Sequence, residues 1–443
     1  MDNNQKNKEA DLLQLKSSNL DEVIVKIRNI SFGGEGVGEV IGARDEAMLG
    51  ISCFVPYTAR GEAVRARIQE NKGTYLKANL VEILEEPASP TRVEPLCSYF
   101  QKCGGCELQH IDYQAQLEAK FDLLVGSLAS SKFSQEVISN VNKIIPSTPY
   151  HYRKRITLHL NQNGQYGFYK TNSRVLVSIN KCEIADKKIN DILLVLRSFT
   201  EKIKGIDASI LIEADESKTV IVIKIPERLQ SNKISEIKDA IDKDLAHALL
   251  FVSGKLIYSK GDNYLQHEVI KGISLKVPAG SFAQVNLNVN QKLVEHVLKH
   301  IKGPKVFDYY AGAGNFTVPI ASRGYKVTSV EMDQELVQFG RINLAARNIR
   351  GVPYHQSSVE KFNKSNKETP DTIVLDPPRS GLQNSYLDMP RAQRVILVSC
   401  HMGSFLRDLK NLSKIGYKPM SITAFDMFAQ TSYLEIATIL DLT

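Results

Sequence analysis

The sequence has no apolar run long enough to cross a bilayer, which excludes a helical integral membrane protein. Residues 1–20 (MDNNQKNKEADLLQLKSSNL) are polar with no unbroken apolar stretch, so they hold no secretory signal, and the protein is expected to stay in the cytoplasm. There is no internal repeat and no low-complexity segment. The net charge of +7 is modest for 443 residues and permits a nucleic-acid partner without demanding one. Only six cysteines occur, at positions 53, 97, 103, 106, 182 and 400. Without an export signal they suit metal binding or catalysis better than disulfides. What is present is ordinary globular composition, 43% hydrophobic and 24% charged, which argues against wholesale disorder. A chain of this length has room for two or three cores.

Residues 21–86 carry short alternating runs (EVIVKIRNI, AVRARIQEN, LKANLVEIL) broken by the glycine-rich SFGGEGVGEV, which predicts a small β-barrel of OB type. Lys26, Arg28, Arg65, Arg67, Lys72 and Lys77 are spread over it, as suits RNA binding or simply solvated strand faces. Pro87, Pro90 and Pro95 read as a linker. Helical periodicity over 109–130 and β-rich segments with a helical stretch near 233–244 predict a central α+β domain over 91–270. From residue 275 to 443 strands and helices alternate, which predicts a doubly wound α/β domain whose ligands collect at the carboxyl ends of the strands.

The chemistry-bearing residues fall at those ends. The strand VFD runs into Tyr309-Tyr310-Ala311-Gly312-Ala313-Gly314-Asn315-Phe316, a turn that lets backbone approach a ligand. Glu331, 19 positions after Gly312, ends the next strand and can accept hydrogen bonds from ribose hydroxyls, which implies an adenosine-containing cofactor. Thr317 at the third glycine position disfavours a nicotinamide site. Asp376-Pro377-Pro378-Arg379 follows the strand TIVL, and Cys400 follows VILVS. Carbon 5 of uracil is not nucleophilic until a thiolate adds to carbon 6, and a cysteine beside the Asp376 turn meets that need. Glu435, in the apolar run YLEIATIL, is then the natural base for the carbon 5 proton, unless it merely faces solvent. Cys97, Cys103 and Cys106 form a C-x5-C-x2-C set with Cys182 as a possible fourth ligand, suited to a [4Fe-4S] cluster or to zinc. Tyr152-Arg153-Lys154-Arg155 is suited to phosphate and base contacts, or is a solvated charge run.

These residues, with Gly167-Phe168-Tyr169, Phe282-x-Gln284-x-Asn286, Gly381 and Gln430-Thr431, resemble the 5-methyluridine RNA methyltransferases that carry a TRAM barrel and an iron–sulfur cluster, the bacterial 23S rRNA branch in particular. The resemblance implies three parts: a TRAM barrel, a central domain with a [4Fe-4S] cluster on Cys97, Cys103, Cys106 and Cys182, and a Rossmann-like class I methyltransferase domain. It implies that Gln284, Tyr310, Glu331 and Asp376 contact S-adenosylmethionine, with Gly312, Gly314 and Asn315 in the same turn, that Cys400 is the nucleophile and that Glu435 is the base. RNA, 23S rRNA by the same resemblance, is the implied partner, with no membrane and no obligate protein partner. The sequence departs from the family pattern at His401-Met402, where Asn-Pro is usual, at Tyr433, where His is common, and at Ala429, where proline is usual. A tRNA target, an exocyclic-amine methyltransferase that would need neither Cys400 nor Glu435, and a non-catalytic RNA-binding paralogue are the alternatives.

Overall fold

A computed structural model describes residues 21–84 and 89–443. Residues 1–20, whose polarity predicts a flexible N-terminal arm, residues 85–86 of the expected barrel and Pro87 of the expected linker lie outside the described residues. The chain divides into two compact units. One takes in the described residues up to Leu124 together with Gln430–Ser432; the other holds Val125–Ala429 and Tyr433–Thr443.

In the first unit, β1 (Glu22–Ile30), β2 (Gly36–Ala43), β3 (Ser52–Val55), β4 (Ala63–Asn71) and β5 (Tyr75–Ile83) close into a barrel in the order β1-β2-β3-β5-β4. Alternation sends Val23, Val25, Ile27, Val64, Ala66, Leu76 and Ala78 inward. Cys53 is buried among them and burial pushes its thiol up to about 12, so it is a small apolar filler. The basic residues are largely engaged: Arg65 and Arg67 pair with Glu82 and Glu22 at 3.0 and 2.9 Å, Arg28 with Glu39, Lys72 with Glu70, and Lys26 donates to the Gly61 carbonyl. After the barrel, Arg92 grips the buried Glu62 at 2.5 and 2.8 Å and ties the next segment to it. Helix α1 (Tyr113–Ser130) follows.

The second unit begins within α1, at Val125, continues with α2 (Gln135–Ser139) and is built on two sheets. In the first sheet β6 (Arg155–Leu160), β7 (Tyr166–Tyr169), β8 (Leu176–Ser178), β9 (Ala208–Ala214), β10 (Thr219–Ile225), β11 (Ala248–Val252) and β12 (Lys255–Lys260) are ordered β12-β11-β10-β9-β6-β7-β8. Helices α3 (Lys187–Lys202) and α4 (Ser231–Asp244) pack on it. Helix α3 escapes the sequence reading, yet Ile189, Leu193 and Leu196 form its buried stripe. The hairpin β13 (Tyr264–Ile270) and β14 (Ile273–Pro278) leads into α5 (Leu287–Lys299).

The second sheet comprises β15 (Lys305–Tyr309), β16 (Lys326–Glu331), β17 (Tyr354–Gln356), β18 (Thr372–Leu375), β19 (Arg394–Ser399), β20 (Tyr417–Phe425) and β21 (Glu435–Leu442), ordered β17-β16-β15-β18-β19-β21-β20. Helices α6 (Thr317–Ser322), α7 (Gln334–Ala345), α8 (Val359–Ser365) and α9 (Met402–Lys414) connect its strands. The first five strands are parallel and read as near-continuous apolar runs (TIVL, RVILVS), as strands buried on both faces must. Strand β21 runs antiparallel to both neighbours. The strand order reverses between β15 and β18, so the crevice outside their carboxyl ends is the place for a ligand. The barrel and the terminal α/β domain expected from the sequence are thus both present. No described helix is long and apolar enough to cross a membrane.

Candidate active site

At the end of β15 the chain turns with Tyr310, Gly312 and Gly314 at φ of 62°, 55° and 101°, a left-handed path that glycine follows without strain. The Gly312 N–H donates to Glu331 Oε2 at 2.9 Å across to the end of β16. Glu331 Oε1 accepts from the N–H groups of Met332 and Asp333 at 2.7 and 2.9 Å. Its carboxylate is therefore fixed in orientation, with lone pairs left for hydroxyl donors. Beneath the turn the Thr317 hydroxyl donates to the buried Asp308 at 2.5 Å and lies 2.7 Å from the Ser329 hydroxyl. A polar side chain is thus satisfied where dinucleotide sites pack a glycine. Burial pushes the Asp308 carboxyl up to about 7, and one of its oxygens has no partner.

The cleft at this turn is also lined by His267, Phe282, Gln284, Asn290 and Asp376. Asn290 and Asn315 exchange amide hydrogen bonds at 2.8 and 3.1 Å, which holds the Asn315 side chain. Tyr310 shares a hydrogen bond with Ser385 at 3.0 Å, and burial pushes its phenol up to about 12. Phe282 is 69% exposed at the rim, open to stacking. His267 is 5% exposed, its Nδ1 lacks a partner, and burial lowers it to about 4, so a neutral imidazole faces the cleft. Nothing in the alternating strand YLQHEVI marks that histidine beforehand.

The segment carrying Phe282 and Gln284 is held by residues of the Tyr152–Arg155 cluster, for which the sequence leaves RNA contact and a solvated charge run both open. Arg155 pairs with the buried Glu213 at 3.1 Å and donates to the Ser281 carbonyl. Glu213 also accepts from the Gly280 N–H at 2.6 Å, and the Lys154 N–H donates to the Val285 carbonyl at 2.8 Å. Lys154 pairs with Asp186 and Glu216, each at 2.9 Å. Tyr152 is 4% exposed and its hydroxyl donates to the Ala429 carbonyl at 2.9 Å. Tyr152, Lys154 and Arg155 therefore have internal partners rather than forming a solvated charge run.

Register brings the remaining candidates together. Ser399 of β19 pairs with Ile436 of β21, so Cys400, one residue on, and Glu435, one residue back, meet at the same sheet edge. Leu375 pairs with Leu397, which sets Asp376 at that edge on the other side of β19. The charge of Asp376 is felt by both of the others. Burial, then Glu435 and Asp376, push the Cys400 thiol up to about 11, with Arg379 acting against them. Glu435 is 2% exposed and held well above the usual carboxylate range by burial and then by Asp376, again opposed by Arg379. Burial pushes Asp376 up to about 7. The arrangement offers a thiol nucleophile, a desolvated carboxyl and one nearby cation, beside the cleft of the glycine turn.

Two of the three departures from the family pattern acquire local roles. His401 is the N-cap of α9, its Nδ1 accepting from the Ser404 N–H at 3.3 Å, so a ring nitrogen does the work of a capping amide. The Tyr433 ring lies 5.8 Å from the Arg379 guanidinium.

Cys97, Cys103, Cys106 and Cys182 are half-buried and form no disulfide. Thiolates are the right donors for an iron–sulfur group. Among the described residues, however, no three or more His, Cys, Asp or Glu side chains are set as a metal-ligand group, so the placed side chains do not by themselves make the site.

A family model described as tRNA (uracil-5-)-methyltransferase matches residues 112–442. Among curated relatives, the chain is 28% identical over 450 residues to a 23S rRNA (uracil(1939)-C(5))-methyltransferase RlmD of Haemophilus parainfluenzae, covering 96% of this chain and 98% of that one. It is 28% identical over 428 residues to an uncharacterized RNA methyltransferase of Protochlamydia amoebophila, covering 93% and 95%. Among solved structures it resembles a Pyrococcus abyssi tRNA (uracil-54, C5)-methyltransferase in complex with S-adenosyl-L-homocysteine, with a TM-score of 0.74, 22% identity and coverage of 96% and 100%.

Proposed function

The chain belongs to the tRNA (uracil-5-)-methyltransferase family, and from that premise we propose that it is a cytoplasmic enzyme converting a uridine of 23S rRNA to 5-methyluridine, with Cys400 as nucleophile and Glu435 as base. The observation that carries the reading is the meeting of Cys400, Glu435 and Asp376 at one sheet edge. The ribosomal target is supported by relatives of that name over nearly the whole chain. On this reading residues 275–443 are the catalytic domain, 91–270 the central domain, and the barrel at 21–86 an RNA-binding TRAM module.

S-adenosylmethionine supplies an electrophilic methyl group when bound. The residues that would hold it are Glu331 against the ribose, the Gly312–Gly314 turn with Tyr310 and Asn315, and Gln284 with Asp376 near the reacting end. The fit is supported by the fixed orientation of Glu331 and by the unpartnered His267 nitrogen facing the same cleft. The target base leaves its stack to enter the site, and Phe282 offers it a ring. Cys400 gives its proton to water, the thiolate being favoured by the Arg379 charge, and Sγ adds to carbon 6 of the uracil. The electron pair so released makes carbon 5 nucleophilic, and carbon 5 takes the methyl group as its bond to the sulfonium sulfur breaks, the bonding pair staying on sulfur. Glu435 then removes the remaining proton from carbon 5, the carbon 5–carbon 6 double bond re-forms, and Cys400 departs as thiolate.

The [4Fe-4S] group is part of the proposal through the C-x5-C-x2-C spacing of Cys97, Cys103 and Cys106, with Cys182 as the fourth ligand. No step above runs through it.

Glu435→Gln keeps the shape of the base but cannot accept a proton, so methylated RNA is expected to stay covalently bound to Cys400. A denaturing gel of full-length variants with labelled RNA and S-adenosylmethionine reads this directly. Glu435→Gln should give a protein–RNA band that survives heating in detergent, and Cys400→Ala and the double variant should give none. Normal turnover by Glu435→Gln without such a band would remove Glu435 as the base; normal turnover by Cys400→Ala would favour an exocyclic-amine methyltransferase. Mapping 5-methyluridine in rRNA and tRNA with and without the gene separates the two targets.

A further inference from the structure

The face of the first sheet in the second unit changes character along its strands. Leu211, Val222 and Leu249 form a row across β9, β10 and β11, covered by Leu265 and Ala279. Two residues further along, on the same face, the next row is His159, Ser209, Lys224 and Phe251 across β6, β9, β10 and β11. This row lines an open cleft of about 550 Å³, with Tyr169 and Gly254 at its sides.

Its side chains are not those of a core or of a plain solvated face. The imidazole of His159 and the ring of Tyr169 are stacked, 3.8 Å between centroids and 13° between planes, although Tyr169 is exposed. The pairing explains how: His159 stands opposite Gly167, and with no side chain there the Tyr169 ring reaches over from two residues on. The Lys224 ammonium lies 5.8 Å from the Phe251 ring. Burial lowers His159 from its ordinary value, so its ring presents a neutral π-face. Lys170 and Lys255, both exposed, adjoin the lining in sequence. The acid in the lining, Asp207, accepts from the Gln162 amide at 2.9 Å. Flat rings interleaved with cations match a nucleic-acid strand, whose bases stack and whose phosphates pair.

We propose that this row is a docking platform for a single-stranded stretch of the RNA substrate other than the nucleotide that is methylated. The Tyr169–His159 pair and Phe251 take bases, and Lys224 takes a phosphate. The proposal rests on the reading that the substrate is RNA.

The probe is a fluorescein-labelled single-stranded RNA about 12 nucleotides long, the span of a groove of this kind, titrated by anisotropy against full-length protein beside a duplex of equal length. Tyr169→Ala is expected to weaken binding of the single strand roughly tenfold, with Tyr169→Phe restoring it. Lys224→Gln should make binding less salt-dependent. S-adenosylmethionine affinity and the alkylation rate of Cys400 should not change in either, which separates a local loss from misfolding. With 4-thiouridine in the strand, crosslinks should map to the peptide containing Tyr169. Unchanged binding in the Tyr169→Ala, Phe251→Ala double variant would overturn the platform, as would equal affinity for the duplex or crosslinks confined to the Phe282 and Cys400 peptides. Unchanged binding would leave a protein as the occupant of this face. Because the assay reads binding, it gives its answer even if the protein methylates no RNA, and loss of the platform leaves the methylation tests above untouched.

Discussion

Asp376 and Glu435 are carboxyl groups held out of water at one sheet edge, and the charge of Asp376 adds to the burial that holds Glu435 well above the usual carboxylate range. A base kept from ionising is a strong one when it does ionise, but it destabilises the fold. The folded Asp376 carboxyl stands at about 7 against 3.8 for the free group, so the folded state holds a proton that the unfolded state has released between those values. Stability on its account is full below the unfolded value and falls as the pH rises through the folded one. Asp376→Asn is therefore expected to stabilise the protein by up to about 4 kcal/mol above about pH 7, the gain vanishing towards about pH 4. Thermal unfolding across that range checks it, and a gain independent of pH would contradict it. The same substitution removes one of the charges that raise Cys400, so the pH at which the thiol becomes alkylatable should fall from about 11. In the unsubstituted protein kcat/KM should climb from neutral into alkaline pH, because Cys400 and Glu435 must both lose protons and both are pushed upward.

At the scale of elements, the segment between β14 and α5 delivers Phe282 and Gln284 to the cleft, and it is held by a buried ion pair on β6 and β9. Arg155 and the Gly280 N–H both engage Glu213, and burial raises that carboxyl against the opposing pull of Arg155 and Gly280. Removing one partner strands the other charge out of water, a loss of about 3–5 kcal/mol when fully buried and less here, where Arg155 is 24% exposed. Glu213→Ala is expected to raise the Kd for S-adenosylmethionine severalfold through the displaced Gln284, with Glu213→Gln recovering most of it through the Gly280 hydrogen bond. Calorimetric titration checks this, and unaltered affinity in Glu213→Ala would mean that the segment holds its position without the pair.

At the scale of the whole molecule, the four thiols make a prediction independent of methyl transfer. Full-length protein purified without oxygen is expected to be brown and to contain iron, and Cys182→Ser to lose it; zinc at one equivalent without iron would refute the assignment. The barrel, the doubly wound terminal domain and the places of Asp376 and Cys400 were legible in the linear sequence, because they rest on local signals: alternation in the barrel strands, unbroken apolar runs in parallel strands buried on both faces, and polar residues where those runs stop. Helix α3 was not legible, since Leu194 and Val195 lie exposed between its buried positions and blur the helical period. Nor was the inward engagement of Tyr152, Lys154 and Arg155, whose partners at Ala429, Asp186 and Glu213 are remote in sequence. The sequence by itself determined which groups could do chemistry and on which strand ends they stand. Only the tertiary structure decided that Glu435 is buried rather than solvated, that it and Cys400 lie in the field of Asp376, and that a neutral His267 faces the cleft that Asp376 lines, because burial and charge coupling depend on strands paired across long stretches of chain.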